Sequence, residues 1–248
     1  TEPMSLIREK LAQAAALVAA HDVDLWLTFV RETSGHADPC LPFLVENGLT
    51  WESALMVGRD GRKMAVVGNY DADPLSASGD WDQVVPYVRG IRDSLLAALA
   101  LLVPASVAKP RIAVNFSEDD DKADGLTHGM YRRLERLLAG TRYEGALVSA
   151  QGIVTSLRGR KTPTEIERIR AAIAQTDRLF DEVGGEIARV GVTEREIWRQ
   201  VQARIDARGL GYSWERAGNP IVNCGPASMV GHGVPSPALT LAAGQILH

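Results

Sequence analysis

Near residue 160 the apolar pattern of this 248-residue chain changes its period, and that change sets what the chain can fold into. Before it, short apolar runs alternate with helical stripes. After it come two long stripes, each opened by a capping signal. Val23 to Val30, with Leu25, Trp26, Leu27 and Phe29, reads as a buried strand. Ser53–Val57 and Lys63–Val67 flank Arg59-Asp60-Gly61-Arg62, a hairpin signal. Trp81–Val88 is a further strand that Pro86 assigns to an edge or a bulge, since proline has no N–H for a ladder. Arg111–Phe116 and Glu144–Ala150 are shorter candidates. Between them lie helical patterns at Ser5–Ala20, Ile91–Val103 and Leu126–Ala139. Strands interleaved with helices make an α/β domain.

A boundary is expected between Gly152 and Lys161, giving domains at 1–155 and 156–248. Thr162-Pro163-Thr164-Glu165 then forms a capping box. Behind it Ile166, Ile169, Ile173, Thr176, Phe180, Val183 and Ile187 recur in steps of three and four, one face of a helix ending at Gly191. Thr193-Glu194-Arg195-Glu196 opens a second helix with Ile197, Val201 and Ile205, stopped by Gly209. Both stripes are read as core packing.

Composition narrows the partners. Of all residues 46% are hydrophobic and 23% charged, with a net charge of −4 and no basic cluster, so nucleic acid and anionic membranes have no electrostatic footing. Leu95–Val103, the most apolar stretch, is too short to span a bilayer, and no secretory leader pattern opens the sequence. Cys40 and Cys224 are far apart and read as reduced core thiols. The expectation is a soluble, cytoplasmic protein.

Three segments near the C-terminus carry chemistry: Asn219-Pro220-Ile221-Val222-Asn223-Cys224-Gly225, Gly231-His232-Gly233-Val234-Pro235 and Gly244-Gln245-Ile246-Leu247-His248. Together with Leu157-Arg158-x-x-Lys161-x-x-x-Glu165 and Gly191-Val192-Thr193-Glu194, their order resembles the pita-bread family of Xaa-Pro aminopeptidases, prolidases and creatinase. The resemblance implies an α/β creatinase-like N-terminal domain followed by the first helices and strands of an α+β pita-bread catalytic domain. It also implies two divalent ions (Mn, Co or Zn), a proline-containing peptide as substrate and a homodimer. The family's metal set is two Asp, one His and two Glu. Matching Gly244–His248 to the start of the metal-binding strand places the first ligand about two residues beyond His248. No metal ligand is therefore assigned within the chain, and these residues alone are expected to be inactive. The acidic run Glu118–Asp121 is read as a solvated loop.

One active-site residue is implied inside the chain. His232 occupies the place of a family histidine that contacts substrate and steadies the tetrahedral intermediate, a task suited to an imidazole that titrates near neutral pH. Gly231 and Gly233 allow close approach around it, and Pro235 and Pro237 stiffen the downstream backbone. Its glycine-rich setting departs from that of many aminopeptidases of the family, which leaves the acceptor pocket open. His36, in the loop Arg31–Phe43, is a substrate-contacting candidate reaching the neighbouring subunit's site, with a solvated loop histidine as the plainer reading. His21 and His128 suit helix ends, and Trp198 and Trp214 read as core or dimer contacts. The alternatives are a creatinase-like amidinohydrolase on the same fold and a non-catalytic peptide-binding or dimerisation module.

Overall fold

The computed structural model describes residues 5–228 and 233–248, which form two compact units, one up to Glu165 and one from Ile166. In the first unit the helices are α1 (Leu6–Ala20), α2 (Asn69–Ser78), α3 (Arg92–Leu102), α4 (His128–Leu138) and α5 (Gln151–Gly159). The strands are β1 (Leu25–Val30), β2 (Ser53–Gly58), β3 (Lys63–Gly68), β4 (Gln83–Tyr87), β5 (Ile112–Val114) and β6 (Leu147–Ser149). They form one sheet in the order β4-β3-β2-β1-β5-β6. The β1–β2 and β2–β3 pairs are antiparallel, and the other three are parallel.

Every residue of β1 is buried because both faces of the sheet are covered. Leu25, Leu27 and Phe29 meet Leu95, Leu99 and Leu134 on the α3–α4 side. Trp26 and Val30 point the other way and join Leu11, Val18, Ile153 and Val154 of α1 and α5. The two-residue period of a strand thus feeds two cores from one continuous apolar run. Pro86 lies on β4, at the sheet edge, as its missing N–H requires. At the β2–β3 hairpin, Gly61 takes the left-handed φ of +86° that closes the turn.

Two helices escaped the sequence reading. The segment of α2 contains Pro74, Asp71 and Asp73 and buries only Ala72 and Leu75, too sparse a stripe to read. The second is α5, which follows β6. Its Ile153, Val154 and Leu157 sit in the first core, within the compact unit that runs to Glu165.

A fully buried lysine secures that end of the unit. Lys10 Nζ donates to Leu157 O at 2.6 Å, Arg160 O at 3.1 Å and Gln13 Oε1 at 3.0 Å. It also pairs with Glu165 Oε2 at 2.7 Å and lies 5.1 Å from the Phe43 ring centre. Lys10 thereby satisfies the carbonyls left open at the end of α5. Glu165 in turn completes the capping box, accepting from Thr162 N at 2.9 Å while Thr162 Oγ1 accepts from Glu165 N at 3.3 Å.

Helix α6 (Pro163–Glu182) continues into a π turn at Val183–Ile187, and α7 spans Glu194–Ala207. The core of the second unit is small: Ile187, Ile197, Val201, Ile205, Val222 and Cys224. The α6 stripe is not core. Ile166, Ile169, Ile173 and Phe180 are exposed, and only Val183 and Ile187, past the helix end, turn into the cluster. A period of 3.6 tells which residues share a face, not whether anything covers it. Asn219–Gly225 and Gly244–His248 are likewise not full strands. They meet as one antiparallel bridge, Cys224 to Leu247, closed by Asn223 N to His248 O at 2.7 Å and Gly225 N to Ile246 O at 3.0 Å.

Replacing Lys10 with Met leaves Glu165 and two carbonyls without their donor. Removing one partner of a buried pair predicts a loss of about 3 kcal/mol from the first unit, read by urea unfolding. A loss below about 1 kcal/mol would contradict the role given to Lys10.

Candidate functional site

The segment singled out for chemistry is framed by one carboxylate. Thr193 caps α7, its Oγ1 accepting from Glu196 N at 3.2 Å, which makes Glu194 the first helical residue. Glu194 is only 3% exposed. Its Oε1 accepts from Cys224 N at 2.8 Å and from the Ser228 hydroxyl, and its Oε2 accepts from Ser236 N at 2.8 Å. Ser228 Oγ lies 2.7 Å from the same Cys224 N–H. The backbone repeats the attachment on the downstream side, where Glu194 N donates to Leu239 O at 3.1 Å and Arg195 N to Ser236 O at 3.1 Å.

Among the described residues no Lys or Arg forms an ion pair with Glu194. Burial acts to raise its pKa, but the Ser228 hydroxyl and the Cys224 and Ser236 amides together outweigh burial, leaving it below its ordinary value. The positive end of the α7 dipole acts in the same direction. The carboxylate therefore stays charged at neutral pH.

His232 lies outside the described residues. The residues on either side of it in sequence, Ser228 and Gly233 to Ser236, are described, and Glu194 binds both flanks. Sequence reasoning used Glu194 as a member of the capping box and of the Gly191–Glu194 motif, and gave its carboxylate no partner. The missed signal was a surplus: a capping box needs one carboxylate three residues after the cap, and Glu194 is a second one beside it. Glu196, the residue at the capping distance, instead accepts from Gln200 at 3.1 Å. Gly225 takes a φ of +69°, the left-handed region that favours glycine, beside the end of the Gln245 side chain.

In the first unit His36 is exposed in its loop, and among the described residues its ring makes no hydrogen bond. The loop is fastened two residues later by Asp38, which is 2% exposed. Asp38 Oδ2 accepts from Asn115 Nδ2 at 2.9 Å and Oδ1 from Cys40 N at 2.8 Å, while Asn115 Oδ1 accepts from Trp26 Nε1 at 2.7 Å. Burial raises the Asp38 pKa against the pull of these donors. Gly125 makes room, since a Cβ there would sit 2.2 Å from Asp38 Oδ2.

Cys40 and Cys224 are buried free thiols, and burial pushes both pKa values up, keeping them protonated. His21 comes after the last turn of α1, and His128 opens α4 behind the Thr127 cap. Trp214 is half exposed, its Nε1 donating to Gly218 O at 2.8 Å, and Trp198 packs against the second core. Lys122 pairs with Asp121 within the largely exposed acidic loop. Among the described residues no group of three or more His, Cys, Asp or Glu is placed to hold a metal ion, and no helix is long and apolar enough to cross a membrane.

Residues 167–248 match the model of metallopeptidase family M24. No curated protein matches the chain by sequence. Among solved structures, the Xaa-Pro dipeptidase from Bacillus anthracis is 16% identical with a TM-score of 0.62, covering 97% of this chain and 59% of its own. The dipeptidase PepE from Mycobacterium ulcerans is 21% identical with a TM-score of 0.63, covering 98% and 59%. The X-Pro aminopeptidase from Thermotoga maritima is 19% identical with a TM-score of 0.53, covering 97% and 59%. At these identities the likeness establishes the fold: an α/β creatinase-like domain followed by the opening of a pita-bread domain. The chain spans about three fifths of the length of these proteins.

The depressed pKa of Glu194 sets a pH dependence. Its contribution to stability is present above its ordinary value of 4.5 and is lost as pH falls through the lower folded value. Thermal unfolding from pH 6 downward should therefore show the gap between wild type and Glu194→Gln closing below about pH 4.5. A gap that stays constant there would contradict an ionised Glu194.

Proposed function

We propose, from the chain's match to metallopeptidase family M24 over residues 167–248, that it forms part of a hydrolase cleaving the bond before proline in peptides. The observation that carries this reading is that family match within a chain of which 97% aligns with the fold of an Xaa-Pro dipeptidase and of an X-Pro aminopeptidase. The bond in question has no N–H and a nitrogen locked in a ring, so a peptidase that grips substrate through that N–H cannot hold it. A dedicated site is the chemical requirement.

The two divalent ions that the resemblance implies are assigned no ligand here, since among the described residues no group of three or more His, Cys, Asp or Glu is placed to hold a metal ion. The part assigned to this chain is His232. An imidazole can donate its N–H to the oxyanion developing on the scissile carbonyl and can exchange a proton near neutral pH. We place His36, on its Asp38-anchored loop, as a substrate contact contributed to a partner subunit in a cytoplasmic homodimer.

In the complete enzyme, supplied with Mn²⁺ and Ala-Pro, His232→Ala should lower kcat by about 100-fold or more while changing KM less. Hydrolysis of creatine in preference to Ala-Pro would overturn the peptide substrate. Failure of the complete protein to cleave either would overturn the hydrolase.

A further inference from the structure

We infer that the first unit carries a binding site of its own, a cavity beside α2 that takes the guanidinium of an arginine side chain in a peptide. The cavity is lined by residues between 44 and 80, and is independent of the chemistry proposed for the second unit. It measures about 310 Å³, the lower end of the roughly 300–1,000 Å³ of ligand sites, which limits its occupant to a side chain or two. Buried Leu44, Leu49 and Leu75 give it an apolar floor along which the aliphatic stem of a long side chain can lie.

The charged groups of the lining are all acidic: Glu46 from the loop before β2, Asp71 from the first turn of α2 and Asp80 just past its end. Glu46 and Asp71 form no ion pair among the described residues. Asp71 Oδ2 is held in place by the Thr50 and Trp51 amides, which donate to it at 3.0 and 3.4 Å. Asp80 is 7% exposed, and its two side-chain bonds, from Arg8 Nε at 3.3 Å and Ser5 Oγ at 3.5 Å, both reach Oδ1. Its Oδ2 therefore has no donor among the described residues, whereas buried side-chain acceptors are as a rule paired. A cleft lined by one sign of charge concentrates the opposite sign, so the occupant is a cation that brings N–H donors.

The lining also selects among cations. Its acids come from three places along the chain, so a ligand that serves more than one needs donors set apart. The planar fork of a guanidinium supplies them, and a lysine ammonium is a single point charge. Tyr70, next to Asp71 and 79% exposed, offers an aromatic ring on which a guanidinium can stack. That ring is steadied by a perpendicular contact with Trp51, 5.6 Å between centres. A free amino acid would bring its own carboxylate, and no Lys or Arg of the lining receives one. Within a peptide that group is an amide, which the acidic lining does not repel.

The test is calorimetric titration of the complete protein with N-acetyl-arginine amide. Saturable binding is expected, weakened about threefold to fivefold by Glu46→Gln and by Tyr70→Ala. Asp80→Asn should weaken it about tenfold. N-acetyl-lysine amide and free arginine should each bind at least about threefold less tightly. Glu46 and Tyr70 are exposed, so their variants keep the test open even if Asp80→Asn, which gives up the Arg8 pair, fails to fold. Absence of saturable binding overturns the inference. So does an affinity unchanged in both Glu46→Gln and Tyr70→Ala, which would place the ligand elsewhere, the proline-directed site included. Lysine amide bound as tightly overturns the choice of arginine, and free arginine bound as tightly overturns a peptide as its source.

Discussion

A buried carboxylate without a cation stays ionised only where donors are brought to it, and in the second unit the chain is routed to supply them. Glu194 draws an amide and a hydroxyl from residues 224–228 and an amide from Ser236. The apolar cluster around it is small, with six buried members, and could not by itself dictate the course of the irregular segments 208–228 and 233–248. Hydrogen bonds to a fixed charge are among the strongest available to a protein, and these come from both arms. The bridge between Cys224 and Leu247 and the pairing of Leu241 with Val192 complete the framework around that charge.

The first unit solves a different problem. Its central strand is buried on both faces, so side-chain alternation supplies two cores, and little is left for polar groups to decide. The exceptions lie at its margins. Lys10 closes the end of α5 and holds the capping glutamate of α6, and Asp38 anchors the loop that displays His36. Each is a buried ionisable group whose partners come from distant parts of the sequence. Such groups fix geometry where a hydrophobic contact would leave freedom.

The same division explains what the sequence disclosed. Local rules made β1, the β2–β3 hairpin and the edge position of Pro86 legible, because an apolar run, an Asp-Gly step and a missing N–H act on nearest neighbours. The two capping threonines, Thr162 and Thr193, marked true helix starts for the same reason. What escaped depends on distance. The burial of α5 needs α1, the exposure of Ile169 and Phe180 is a fact about neighbours, and Glu194 takes its meaning from residues 30 to 42 positions away. The order of motifs was enough to raise the resemblance that the match of residues 167–248 supports, because a recurring order encodes those distant relations without displaying them. His232 is implied by that resemblance alone.

The most direct test is amide hydrogen exchange at Cys224 and Ser236. If Glu194 joins the two arms, both amides are protected in the wild type with similar opening free energies, and Glu194→Ala releases both together. Protection that survives at one amide while the other is lost would show that the arms are held separately, and would contradict the account.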